Sequence, residues 1–229
     1  MPGHFTFYCN KKEDNFAFFD GVEAKHVIQV LRYGLGDEIH FTNGEGLRMR
    51  GLIESANKSG FQARITESIA VERPAEMHIL VAILKAGDRM EWACEKITEL
   101  GATSLTLFQS DHGERSTVNI ERMKKVALSA MKQSHGAWLP RIEVNTFKEA
   151  VECFAGMESK YIAYCGDGEK VCMSTLHLPG ALMIGPEGDF SVKEMGMALG
   201  LGWRPLDLGR QILRTETAAV AVAAALRLR

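Results

Sequence analysis

The sequence predicts an α/β chain in two parts: a small β-barrel with one helix, then a domain built on a mainly parallel sheet. Three observations predict it. Up to residue 70, aromatic and β-branched runs are broken by tight-turn signals, chiefly Asn43-Gly44 and Gly60. After residue 76, short apolar runs alternate with stretches of helical periodicity, the rhythm of repeated βα units. Between them Val71-Glu72-Arg73-Pro74-Ala75-Glu76 is charged and holds a Pro, which reads as a linker and sets domains at 1–71 and 76–229.

In the first domain, residues 4–8, 38–42, 47–55 and 61–68 read as strands. One helix interrupts them, with Asp20 as cap, Glu23 at the capping-box position, and Val27, Val30 and Leu31 as its apolar stripe. The second domain opens on residues 78–84, a continuous apolar run of the kind a buried parallel strand needs. Asp88 and Glu91 form a capping box for a helix with Met90, Ala93, Cys94, Ile97 and Leu100 on one face, stopping at Gly101. Residues 104–108 are the next strand, and 119–134 a helix with Ile120, Met123, Ala127, Ala130 and Met131 at helical spacing. Further strands fall at 160–165, 181–184 and 204–208, and Ser191 with Glu194 makes another capping box. Thr215 or Thr217 caps a terminal helix of Ala and Val. Its small side chains permit close packing within the chain or across a dimer.

Composition excludes several classes. A formal net charge of −2 gives no global basic field, so a large non-specific DNA-binding surface is disfavoured. The 5 cysteines show no Cys-x-x-Cys pair and no zinc spacing, so no metal is expected. No apolar signal segment follows Met1, and the longest apolar run, 218–226, is far short of the roughly 20 residues of a membrane span. A cytoplasmic location with reduced thiols is therefore the expectation, with no membrane association.

The chemistry concentrates near the C-terminus. Ile184-Gly185-Pro186-Glu187-Gly188 follows a buried strand, so this turn falls at the carboxyl edge of the sheet, where α/β ligands bind. A plain βα connection would carry the same Gly and Pro. A second turn, Leu208-Gly209-Arg210-Gln211-Ile212-Leu213-Arg214, leads into the terminal helix. Neither resembles a phosphate cradle: no Gly-Lys-Ser/Thr and no GxGxxG is present. Glu187 and Asp189 would also repel a triphosphate and suit a neutral or cationic ligand.

This pair of motifs, with its spacing, resembles the knotted SPOUT-class methyltransferases, and within them the ribosomal RNA small subunit methyltransferase E (RsmE) family. The similarity extends to Lys85-Ala86-Gly87-Asp88-Arg89-Met90-Glu91-Trp92, Lys96-Ile97-Thr98-Glu99-Leu100-Gly101 and Ser129-Ala130-Met131-Lys132-Gln133-Ser134. It includes the early Lys25-His26-Val27-Ile28-Gln29-Val30-Leu31-Arg32, so nearly the whole chain is covered. The resemblance implies a PUA-like N-terminal barrel for RNA and a C-terminal domain with a trefoil knot. It also implies S-adenosylmethionine as cofactor, a homodimer, and methylation of N3 of a uridine in 16S rRNA of the small ribosomal subunit. By the same resemblance the cofactor contacts Tyr164, Cys165 and Gly166, Ile184 to Gly188, and Leu208, Gly209, Ile212, Leu213 and Arg214.

Uridine N3 carries a proton and titrates well above neutral pH, so transfer requires that proton to leave or the developing anion to be stabilised. The loop Asp111-His112-Gly113-Glu114-Arg115-Ser116-Thr117-Val118 is the expected source of the catalytic group. Many family members carry Arg-Ser there, then an apolar pair and Lys. Arg115-Ser116 fits that register with Asn119 in place of the Lys, and a shifted register puts His112-Gly113 there. Arg115 is the preferred charge stabiliser and His112 the alternative proton handler. Two further departures stand out. His135-Gly136-Ala137-Trp138-Leu139-Pro140 replaces an Arg-rich stretch, leaving Trp138 as a base-stacking or packing residue, and Asp189 stands where many relatives have Gly.

Overall fold

The computed structural model describes residues 5–57, 59–114 and 117–228. It divides into two compact units, one running to Arg73 and including Leu128–Leu139, the other comprising Pro74–Ala127 and Pro140–Arg229.

The first unit is a curled six-stranded sheet. Its strands are β1 (Thr6–Tyr8), β2 (Lys11–Glu13), β3 (Phe16–Asp20), β4 (Glu38–Thr42), β5 (Leu47–Ala56) and β6 (Gly60–Ala70), in the order β1-β4-β5-β6-β3-β2. β1 and β2 remain as edges, so the expected barrel is a half-barrel. Among the described residues only the β1–β4 pair is parallel. Alternating side chains turn Phe7, Phe19, Ile39, Phe41, Met49, Ile53 and Phe61 inward. Phe19 stacks on Phe61 at 4.5 Å and meets Phe41 edge-on at 5.3 Å.

The predicted helix is shorter than its pattern. α1 (Gly21–Lys25) passes into a π turn over His26–Val30, closed by Leu31 N–H donating to His26 O. The extra residue per turn rotates Val30 to solvent, 68% exposed, so the expected stripe of Val27, Val30 and Leu31 is broken. Asp20 makes no capping bond, and the Glu23 carboxylate, expected to complete the box, pairs with Lys132. Trp138 is a packing residue: its indole lies on Gly46, where any Cβ would clash with the ring. Its Nε1–H donates to the carbonyls of Val71 and Glu72 at 3.2 Å.

The second unit alternates strand and helix. β7 (Met77–Ala82), α2 (Gly87–Glu99), β8 (Ser104–Gln109), α3 (Ile120–Gln133, of which the residues from Leu128 belong to the first unit), β9 (Arg141–Thr146), α4 (Phe147–Cys153) and β10 (Lys160–Ala163) come first. β11 (Val171–Cys172), β12 (Gly180–Ile184), α5 (Val192–Gly200), β13 (Arg204–Asp207) and α6 (Thr215–Arg227) follow. Every pairing in the sheet, ordered β11-β13-β10-β12-β7-β8-β9, is parallel. The central strands are buried on both faces, which explains the unbroken apolar runs at β7 and β12.

Caps differ in part from expectation. Ser191 and Glu194 form the expected reciprocal box on α5. α2 starts two residues early, at Gly87 with Ala86 as N-cap, so Asp88 sits inside the first turn and Glu91 turns to Arg122. α6 is capped by neither threonine: both lie inside the helix, behind Arg214 as N-cap, and the Thr215 hydroxyl donates to Gly185 O at 2.9 Å. One face of α6, including Ala218, Ala219, Val222 and Ala223, is buried. All five cysteines are unbridged, and burial pushes the Cys94 thiol up to about 12.

Candidate active site

Because β13, β10 and β12 are parallel neighbours, the chain leaves all three at one edge of the sheet. The three exits enclose a cleft of about 380 Å³. Tyr164 and Cys165, after β10, form one wall. Ile184, Gly185, Pro186 and Glu187, at the end of β12, form the second, where the turn closes through Asp189 N–H donating to Pro186 O at 3.1 Å. Leu208, Gly209, Ile212, Leu213 and Arg214 form the third. That loop leaves β13 through Gly209 at φ +106°, whose N–H donates to the Asp207 carboxylate at 2.9 Å.

Two residues expected at the cofactor do not line the cleft. Gly166 folds back under Tyr164, where a Cβ would fall 2.3 Å from the phenol oxygen. Gly188 lies under the β8 loop, and a Cβ there would sit 3.1 Å from the His112 Cβ. Both therefore act by allowing close approach.

Sequence reasoning assigned no role to Arg89, which ties two of these walls together. Its guanidinium grips both oxygens of Glu216 at the start of α6, with Nε at 2.7 Å, and reaches Glu187 on the β12 turn at 2.9 Å. Burial pushes the Glu216 carboxyl up, but the Arg89 hydrogen bonds outweigh it and hold the group below the usual carboxylate range. The same bonds raise Arg89 further, so it stays cationic. No local signal could have found it, because its partners are 98 and 127 positions away.

The loop after β8 is braced against the start of α5. Glu194, buried, accepts from Asp111 N–H at 3.0 Å and from the Ser110 hydroxyl at 3.2 Å, while the Ser191 hydroxyl donates to Asp111 at 2.7 Å. His112 Nδ1 lies 3.0 Å from the carbonyl oxygens of both Gly188 and Asp189. Two carbonyls can only accept, so Nδ1 carries a proton, and of the two tautomers the one with its lone pair on Nε2 fits. Glu114 forms an exposed pair with Lys85. Arg115 lies outside the described residues. Among the described residues no cluster could hold a metal ion, and no helix is long and apolar enough to cross a membrane.

A family model for the RNA methyltransferase domain matches residues 71–227, and one for the RNA methyltransferase PUA domain matches 19–66. The ribosomal RNA small subunit methyltransferase E of Bacillus subtilis is 29% identical over 218 residues, spanning 86% of this chain and 84% of that protein. The chain belongs to the ribosomal RNA small subunit methyltransferase E family. Solved structures agree with that membership. A probable rRNA-methyltransferase from Porphyromonas gingivalis superposes with a TM-score of 0.86 at 32% identity, over 95% of each chain. A ribosomal RNA small subunit methyltransferase E from Neisseria gonorrhoeae, bound to S-adenosyl methionine, gives 0.83 at 26% identity, over 97% of this chain and 96% of that one.

Proposed function

We propose that the chain transfers a methyl group from S-adenosylmethionine to N3 of a uridine in 16S rRNA of the small ribosomal subunit, with the cofactor held in the cleft at the ends of β13, β10 and β12. One observation carries this reading. In a member of this family, three loops at the carboxyl ends of adjacent parallel strands enclose one cavity of about 380 Å³. That size lies within the roughly 300–1,000 Å³ of small-molecule sites. The lining suits the cofactor: Leu208, Ile212 and Leu213 offer apolar contact, and exposed backbone offers donors and acceptors without a phosphate cradle.

When bound, S-adenosylmethionine supplies the methyl group as an already reactive sulfonium. The protein's task is to position the base and manage the charge at N3. Arg115 is assigned to stabilise the negative charge developing on N3 and its neighbouring oxygens. His112, held by its Nδ1–H against the β12 turn, is the alternative acceptor of the N3 proton through Nε2. By family pattern the first unit binds RNA, the cofactor loops form a trefoil knot, and the chain works as a homodimer in the cytoplasm.

Calorimetric titration with S-adenosylmethionine tests the assignment of the cleft. The wild-type protein is expected to bind one cofactor per chain. Gly209→Val, which forces a β-branched residue to φ +106° in open space, is expected to weaken binding at least tenfold while the protein stays folded. A wild-type protein that does not bind the cofactor would overturn the reading.

A further inference from the structure

We propose that Asp189 is a positioning residue, a latch that fixes the Tyr164–Cys165 wall of the cleft to the Ile184–Glu187 turn and so sets the affinity for the cofactor. The inference rests on the assignment of the cleft to S-adenosylmethionine. The ladder between β10 and β12 ends at Ala163 and Ile184, where the strands part to open the cleft. Beyond that point the Asp189 carboxylate continues it. Oδ2 accepts from Cys165 N–H at 3.1 Å, across the gap, and Oδ1 accepts from Phe190 N–H at 2.9 Å. On its other side, Tyr164 N–H donates to Leu206 O at 3.3 Å, which ties the wall to β13. Asp189 is thus the bond found on the β12 side among the described residues.

The backbone of Asp189 supports the same reading. It stands at φ +59°, in the left-handed region that an L-residue adopts at a cost unless its side chain is used locally. Here the side chain is used twice, and among the described residues no Lys or Arg forms an ion pair with it. Charge-assisted bonds to two backbone N–H groups are strong ones. The Asp189 carbonyl also meets His112 Nδ1 at 3.0 Å, so the residue touches the β8 loop as well as both cleft walls. Burial and the Asp189 charge together raise the Cys165 thiol, which gives the latch a chemical reporter.

Two variants test it. Asp189→Gly keeps the backbone conformation and removes both carboxylate bonds, whereas Asp189→Asn keeps an acceptor. Asp189→Gly is expected to raise the Kd and KM for S-adenosylmethionine about tenfold with kcat at saturating cofactor unchanged, and Asp189→Asn to recover most of that loss. The rate at which a neutral maleimide labels Cys165, located by peptide mapping, should rise in Asp189→Gly, since the thiol loses its anionic neighbour and its anchored backbone. A merely structural role would lower Tm without splitting KM from kcat or changing the Cys165 rate selectively. The latch is overturned if Asp189→Gly binds cofactor as the wild type does, if kcat falls instead of affinity, or if Cys165 labels at the wild-type rate. A wild-type protein that fails to bind cofactor overturns the cleft assignment instead, and Cys165 labelling then still reports on the latch.

Discussion

Arg89→Met is expected to lower stability by about 2–3 kcal/mol and cofactor affinity at least tenfold. The stability loss follows from what is left behind: the Glu216 side chain is 9% exposed, and removing its partner strands a charge that water reaches poorly. Breaking a fully buried pair costs roughly 3–5 kcal/mol. Arg89 itself is 25% exposed, which places this pair below that range. The affinity loss follows from geometry, since the same guanidinium holds Glu187 on the β12 turn and Glu216 where the β13 loop enters α6. Without it the two walls lose that tie and keep the bond from the Thr215 hydroxyl to Gly185 O.

The effect carries a pH signature with a defined sign. The folded-state value of Glu216 is held below its unfolded value, so the pair's stabilisation is fully present above the ordinary carboxylate range. It is lost as pH falls from the ordinary carboxylate range through the depressed folded value. The gap in Tm between wild type and Arg89→Met should therefore be widest at neutral pH and close as the medium is acidified. A gap independent of pH would show that packing of the Arg89 stem, and not the ion pair, holds the walls.

Arg115→Ala is expected to cut methyl transfer by about 10²–10³-fold while leaving cofactor affinity unchanged, the loss typical of removing one preorganised charge stabiliser. His112→Ala is expected to behave differently. Its Nδ1–H is bonded to two carbonyls of the cofactor turn, so truncation loosens that turn and raises the cofactor Kd more than it lowers kcat. Single-turnover rates with undermethylated small subunits, together with cofactor titrations, separate the two. If His112→Ala removes the chemical step and Arg115→Ala does not, the roles are exchanged and His112 Nε2 is the proton acceptor.

What the sequence made legible depended on how local each cause was. β7 and β12 were readable because burial on both faces demands continuous apolar runs, and the Ser191–Glu194 box because both partners lie within one turn. The strand β9 and helix α4 were missed, although Thr146 and Glu149 form a capping box that was there to be read. β9 is an edge strand with few buried positions, so its periodicity is weak. The π turn after α1 was invisible, since one added residue per turn changes no residue type. At the site, Gly and Pro following apolar strands marked the β12 and β13 exits. Arg89 and Asp189 were not legible as ties, because their bonds depend on which loops the sheet order brings together.

The central claim is tested most directly by the position of the transferred methyl group. Small ribosomal subunits from a strain lacking the modification are incubated with the protein and methyl-labelled S-adenosylmethionine, and the rRNA is digested and its nucleosides resolved. The label is predicted to appear in 3-methyluridine at one site of 16S rRNA, and to fall in parallel with cofactor affinity in Gly209→Val at subsaturating cofactor. Cofactor binding without transfer, or label on another base, would contradict the account.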